Sequence, residues 1–110
     1  MADQTSATPV LDLLASMTAS SIEASTLDPE TLMLVRIAAL VAMDAPPISY
    51  VMNLGAAGEL GVDAEQVRGV LAAVAPIVGT ARVASATSKI VRALELELEM
   101  AELEAAEEES

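Results

Sequence analysis

Leu27-Asp28-Pro29-Glu30-Thr31-Leu32-Met33-Leu34-Val35-Arg36-Ile37-Ala38-Ala39-Leu40-Val41-Ala42-Met43 decides the fold. Its first residues spell a helix start. The Asp28 side chain can accept a hydrogen bond from a free backbone N–H, and Pro29 is tolerated at the first helical position. Glu30 favours the positive end of the helix dipole. Leu27 and Leu32 have the spacing of a hydrophobic staple. The body that follows is apolar on every side except at Arg36, so the reading is a buried helix over about 29–43. In a chain of 110 residues, one side of such a helix is expected to meet another subunit.

Downstream, Asp44-Ala45-Pro46-Pro47-Ile48-Ser49-Tyr50-Val51-Met52-Asn53 stops that helix and starts the next. The residue before a proline is biased away from helical geometry, and Pro47 suits a first turn. A third helix is expected over about 47–60. Gly55 and Gly58 lie inside it, each costing roughly 1 kcal/mol relative to alanine, which predicts the close approach of another helix. Gly61 reads as its terminating residue. Val62-Asp63-Ala64-Glu65-Gln66-Val67 then repeats the start signal, with Asp63 as cap and Gln66 at the capping-box position. The fourth helix is expected from Ala64 to about Ala75, ended by Pro76-Ile77-Val78-Gly79. Thr80 is expected to cap a fifth helix reaching about Ala101.

Upstream, Thr8-Pro9 suggests a first helix over about 9–24, with Val10, Leu13, Leu14 and Met17 at helical spacing. Its second half, from Thr18, is weakly apolar and is expected to be surface-exposed or frayed. The organisation read from the chain is a disordered start (1–8), one all-α domain of about five helices in an orthogonal or antiparallel bundle (9–101), and a fraying acidic tail (102–110).

Composition narrows the chemistry. The apolar fraction is 54%, yet Tyr50 is the sole aromatic residue. Cysteine and histidine are both absent. Thiol nucleophiles, thiolate ligands and imidazole acid–base groups are therefore missing from this chain. The net charge is −12, and it is uneven: residues 95–110 hold eight Glu and no base, while residues 1–94 hold nine acids and five bases. With no basic stripe, neither nucleic acid nor an anionic membrane surface is an expected partner. The longest apolar stretch is twelve residues, from Leu32 to Met43, and Arg36 interrupts it. Spanning a bilayer takes roughly 20. The first residues lack a signal-peptide pattern, so a soluble cytoplasmic protein is expected.

The order of these signals resembles the carboxymuconolactone decarboxylase family, which includes the alkylhydroperoxidase D-like proteins. The residues that carry the likeness are Leu27-Asp28-Pro29-Glu30-Thr31, the buried helix with Arg36, the break, Gly61, Asp63-Ala64-Glu65-Gln66-Val67 and Ala75-Pro76-Ile77-Val78-Gly79-Thr80-Ala81-Arg82. The likeness extends over about residues 26–94. It implies an all-helical fold assembled as a homo-oligomer, commonly a trimer or hexamer. It also implies, for one branch of the family, a Cys-x-x-Cys pair with a nearby His and Glu that reduces peroxides. Counted back from Gly61, Pro46 and Ser49 fall where those cysteines would be, and Asn53 falls where the histidine would be. The glutamate would fall near Leu34. A shift of one residue gives Ala45, Ile48 and Met52. Neither register restores a thiol or an imidazole. Thiol peroxidase chemistry needs a sulfur nucleophile. The implied identity is a divergent member without that chemistry, acting as a homo-oligomeric binding or structural protein. The alternative is a cysteine-independent decarboxylase, lyase or hydrolase acting on a small organic acid.

Three polar residues stay as candidates for catalysis: Ser49, Tyr50 and Asn53. They lie within one turn and either satisfy one another or form a polar spot for a carboxylate or carbonyl. Arg36 and Arg82 are candidates for ligand binding. Arg36 sits mid-helix among apolar neighbours, and a buried guanidinium needs a carboxylate partner, so Arg36 is expected to pair with an acid such as Glu23, Asp44 or Glu59, or else to meet a bound anion. Arg82, in the first turn of a helix, opposes the dipole and calls for an acid or an anion. The catalytic alternative requires Arg36, Arg82, Tyr50 and Asn53 to converge on one pocket. The acids sit at helix ends, so no metal site is readable, and no cofactor is expected. The expected partners are further copies of the chain, and either a small organic acid or a protein.

Overall fold

The computed structural model describes residues 7–109. Within that range the protein is all-α, with five helices: α1 (Pro9–Ala24), α2 (Pro29–Met43), α3 (Pro47–Glu59), α4 (Ala64–Val78) and α5 (Thr80–Glu109). The expectation for residues 1–6 lies outside the described residues.

The two start signals fold as local chemistry dictates. The Asp28 carboxylate accepts from the Thr31 backbone N–H at 2.8 Å and from the Thr31 hydroxyl at 3.0 Å. Asp63 and Gln66 form a reciprocal capping box: Gln66 N–H donates to the Asp63 carboxylate at 2.8 Å, and Asp63 N–H donates to Gln66 Oε1 at 3.0 Å. Val62 is buried and Val67 packs against the same cluster, as a staple requires. Thr8 stands at the N-cap of α1, but its hydroxyl donates to the Asp12 carboxylate rather than capping the backbone.

Helix ends depart from the sequence reading. α4 runs through Pro76 to Val78. Proline removes its own N–H and disturbs the carbonyl four residues back, a defect that falls here in the last turn, where it costs one bond. Thr80 is the first helical residue of α5, not its cap. The Gly79 carbonyl accepts the first helical bond, from Val83 N–H at 3.2 Å. Gly79 takes φ +88, a region open to glycine without penalty. α5 continues to Glu109, past the expected end near Ala101.

α2 is the shared wall of two cores. Its first half gives Leu32, Met33 and Ile37 to a cluster with Ala57 of α3 and Val62. Its second half gives Val41, which clusters with Ala45, Tyr50 of α3, and Ala86 and Ala93 of α5. The alanines on α5 and α3 let α5 lie close to both. Gly55 faces α5, where an added Cβ would meet the Glu97 carboxylate at 3.4 Å. Gly58 does not fit the expected close approach: an added Cβ there would meet nothing within 4 Å.

α1 stands apart. None of its residues is buried. Val10, Leu13, Leu14 and Met17, spaced as a packing face, are 51–68% exposed. Its second half is exposed throughout, as expected, and Thr18 and Ser21 there accept hydrogen bonds from Arg36 of α2.

Candidate functional site

The stretch between α2 and α3 decides where the candidate residues go. Asp44 ends α2 in the left-handed conformation, with φ 54. This turns the chain so that Pro46 and Pro47 can begin α3. The turn is held from α5. Lys89 Nζ donates to the Asp44 carboxylate at 2.8 Å and to its backbone carbonyl at 3.1 Å, and the Ser85 hydroxyl donates to the same carboxylate at 2.6 Å. Arg82, three residues before Ser85 on α5, donates to the carbonyl of Ala42. Arg82, Ser85 and Lys89 thus share one face of α5 and close over the end of α2. Cations at a helix C-terminus complement the dipole. The Lys89 and Ser85 hydrogen bonds, followed by the charges of Lys89 and Arg82, hold the Asp44 carboxyl below its ordinary range.

Arg82 is therefore explained without a ligand. It was expected to need an acid or an anion; a helix carbonyl takes that part, with Asp44 near by. Tyr50 is also removed from the polar spot. Its side chain is 0% exposed, within the cluster of Val41, Ala45, Ala86 and Ala93. Its hydroxyl has no hydrogen-bond partner among the described residues. Burial, and then the nearby Asp44 charge, push the phenol above its ordinary range.

Asn53 faces elsewhere. Its Nδ2 donates to the Ser49 carbonyl at 2.8 Å, one turn back, while Oδ1 and a second N–H stay available. Ser49 is half-buried and contributes this carbonyl to Asn53. Arg36 lies across from Asn53. It was expected to pair with Glu23, Asp44 or Glu59, and it does not: Nη2 donates to the Ser21 hydroxyl at 3.0 Å and to the Thr18 carbonyl at 3.5 Å. Among the described residues no acid lies within ion-pair distance of it. A guanidinium carries five N–H donors, so most of its capacity is unspent.

Arg36 and Asn53 line one groove of about 250 Å³ between α1, α2 and α3, with Ile22, Met33, Met52 and Ala56 as apolar walls. Four residues were required to converge for the catalytic alternative. Two of them, Arg36 and Asn53, do; Arg82 and Tyr50 do not. The groove itself was not readable from sequence, because its floor depends on how α1 lies across α2.

A larger cavity of about 500 Å³ opens between α3, α4 and α5, with walls of Leu54, Ala57, Val67, Leu71 and Ile90 and with Arg68 and Glu97 among its polar lining. None of the candidate site residues Arg36, Ser49, Tyr50, Asn53 and Arg82 lines it. Gly58 borders it, and that empty Cβ position was the available signal.

No helix among the described residues is long and apolar enough to cross a membrane. Neither the curated proteins nor the solved structures gave a match to this chain. The sequence model of the carboxymuconolactone decarboxylase family does match, over residues 8–93. That span takes in all of α1 and most of the domain, starting well before residue 26, where the likeness was first legible. With the helical order, both capped starts and the match over most of its length, the chain belongs to the carboxymuconolactone decarboxylase family.

Proposed function

We propose that this chain is a homo-oligomeric member of the family that binds a small organic acid and has no thiol redox activity. The observation that carries the reading is Arg36, a half-buried cation without an acid partner, facing Asn53 across an apolar-walled groove. Arg36 would take the carboxylate by charge-assisted hydrogen bonds. The Asn53 amide, with an acceptor and an N–H to spare, suits a hydroxyl or oxo group on the same ligand. A groove of about 250 Å³ lies below the usual size for drug-like ligands, roughly 300–1,000 Å³. The ligand class is thus a short hydroxy- or oxo-carboxylate. The absence of cysteine removes the sulfur on which the peroxide branch of the family depends. The acidic tail and cytoplasmic residence belong to the same reading as a solvating end and a soluble setting.

Calorimetric titration of short hydroxy- and oxo-carboxylates tests it. The wild-type chain is expected to bind at least one of them, and Arg36→Met to weaken that binding at least tenfold, in line with a charged hydrogen bond worth about 1.5–3 kcal/mol. Equal binding by Arg36→Met overturns the assignment. Peroxide turnover above the buffer blank, with a thiol donor supplied, overturns the non-redox part.

A further inference from the structure

The cavity between α3, α4 and α5 has no part in the organic-acid reading, and its charged groups are unspent. α5 contributes to its wall from Thr87 to Glu97. Ten residues of helix span about 15 Å, so the cavity runs lengthwise along α5. Val91 and Leu94 on that wall are about half exposed. The volume, about 500 Å³, falls within the roughly 300–1,000 Å³ of small-molecule sites. Glu97 stands at the far end of the α5 wall. Its neighbours Glu95 and Glu99 both lie within ion-pair distance of Arg92, on one face of the helix. Glu97 is turned away from that face. It is half-buried, and among the described residues it has no ion-pair partner.

Two glycines inside α3 bear on this site, although each weakens the helix relative to alanine. At Gly55 an added Cβ would meet the Glu97 carboxylate at 3.4 Å, so the missing side chain lets that carboxylate lie against α3. At Gly58, which lines the cavity, an added Cβ would meet nothing within 4 Å, so the missing side chain is space in the cavity. The two are neighbours on the helix surface. One seats an acid and the other leaves room near it. Charge decides what fills the room. The lining carries Asp63 and Glu97 against Arg68, a formal −1. Arg68 is exposed, where water screens it. The Asp63 carboxylate is spent on the cap of α4, where it accepts from Gln66 N–H. The whole chain is at −12, which concentrates cations near its surface and thins out anions. We infer that this cavity binds an amphipathic organic cation, an alkylammonium whose head donates to Glu97 and whose apolar body lies along Val91 and Leu94 beside Gly58. An ammonium has three donors and no acceptor, which matches a carboxylate, and burial of the apolar body supplies the rest of the binding. The site is separate from the Arg36–Asn53 groove, which selects the opposite charge.

Calorimetric titration of the full chain with n-octylamine, n-octanol and octanoate at neutral pH tests the assignment. Octylammonium is expected to bind one per chain, more tightly than n-octanol, with octanoate weakest. Glu97→Gln is expected to weaken octylammonium about tenfold, as for the loss of a charged hydrogen bond, and to leave n-octanol unchanged. Glu102→Gln removes the same charge from an exposed place on α5 and is expected to change neither. Gly58→Leu fills the cavity without a clash and is expected to abolish both while keeping its helical circular dichroism. Arg36→Met is expected to leave octylammonium binding intact, so the result stands whatever the organic-acid titration gives. Equal binding by Glu97→Gln or by Gly58→Leu overturns the assignment. So does an equal loss in Glu102→Gln, since the cation would then be answering to the general charge of the surface. A preference for octanoate gives the cavity to an anion at Arg68 and overturns it, as does a wild-type chain that binds none of the three probes. If light scattering shows that Gly58→Leu lowers the mass of the wild-type species, another chain covers the cavity and the assignment fails.

Discussion

Tyr50 carries a hydroxyl buried among Val41, Ala45, Ala86 and Ala93 with no hydrogen-bond partner among the described residues. An unsatisfied buried polar group costs about 1–3 kcal/mol, and phenylalanine has the same ring without it. Tyr50→Phe is therefore expected to raise the unfolding free energy, by about 1 kcal/mol, in a urea titration. A lower midpoint would mean that the hydroxyl has a partner in solution. The same residue shows a limit of sequence reasoning. Tyr50 and Asn53 are three apart and so lie near one another on α3, which suggested a joint polar spot. Spacing fixes the angle between two side chains, not which of them faces the interior. The border of the core falls between them. Arg36 was legible as an anomaly in an apolar helix. Its true partners, Ser21 and Thr18, come from a helix whose placement no local pattern specifies.

At the scale of helices, every start and the ends of α1, α2 and α3 were legible to within a residue, while α4 and α5 ran past their expected ends. Caps are local: Asp28 with Thr31, and Asp63 with Gln66, need only residues three apart. Ends depend on distant groups. The α2 terminus is secured by Arg82, Ser85 and Lys89 from α5, more than thirty-five residues away in sequence. Pro76 looked like a stop, but in a final turn it forfeits a bond that the surroundings can spare. Asp63→Ala removes a capping box and is expected to cost about 1 kcal/mol by thermal melt, whereas an unchanged melting temperature would show the box to be idle. The Asp44 contact titrates. Its hydrogen bonds to Lys89 and Ser85 keep the folded carboxyl below the ordinary 3.8. The unfolded chain therefore takes up its proton first as pH falls. The stabilisation is present in full above that ordinary value and is lost as pH drops through the depressed one. Melting temperature should fall below about pH 4 in wild type, and less steeply in Asp44→Asn, which starts lower at neutral pH. Parallel acid limbs would count against this ion pair.

Across the whole molecule, α2 is the wall that both cores share; its all-round apolar sequence marks it only as a buried helix. Its residues Val35 and Met43 are exposed and leave one side uncovered. α1 occupies the residues expected of it, but the helical spacing of Val10, Leu13, Leu14 and Met17 does not bury them: all four are more than half exposed. The acidic end of α5 is separable from the fold. Every residue from Leu98 to Glu108 is exposed, so truncation after Met100 is expected to leave the melting temperature within about 2 °C, since surface changes away from packed features are usually within ±0.5 kcal/mol. A larger drop would assign those turns a structural contact.

One further consequence follows from the single aromatic ring. With no Trp and no Phe in the chain, all near-ultraviolet absorption and emission come from Tyr50. Its ring lies where α2, α3 and α5 meet. The native protein thus contains an intrinsic optical probe at one known point, with no background to subtract. Near-ultraviolet dichroism should vanish when that junction loosens, and the phenolate band should appear only when alkali reaches it.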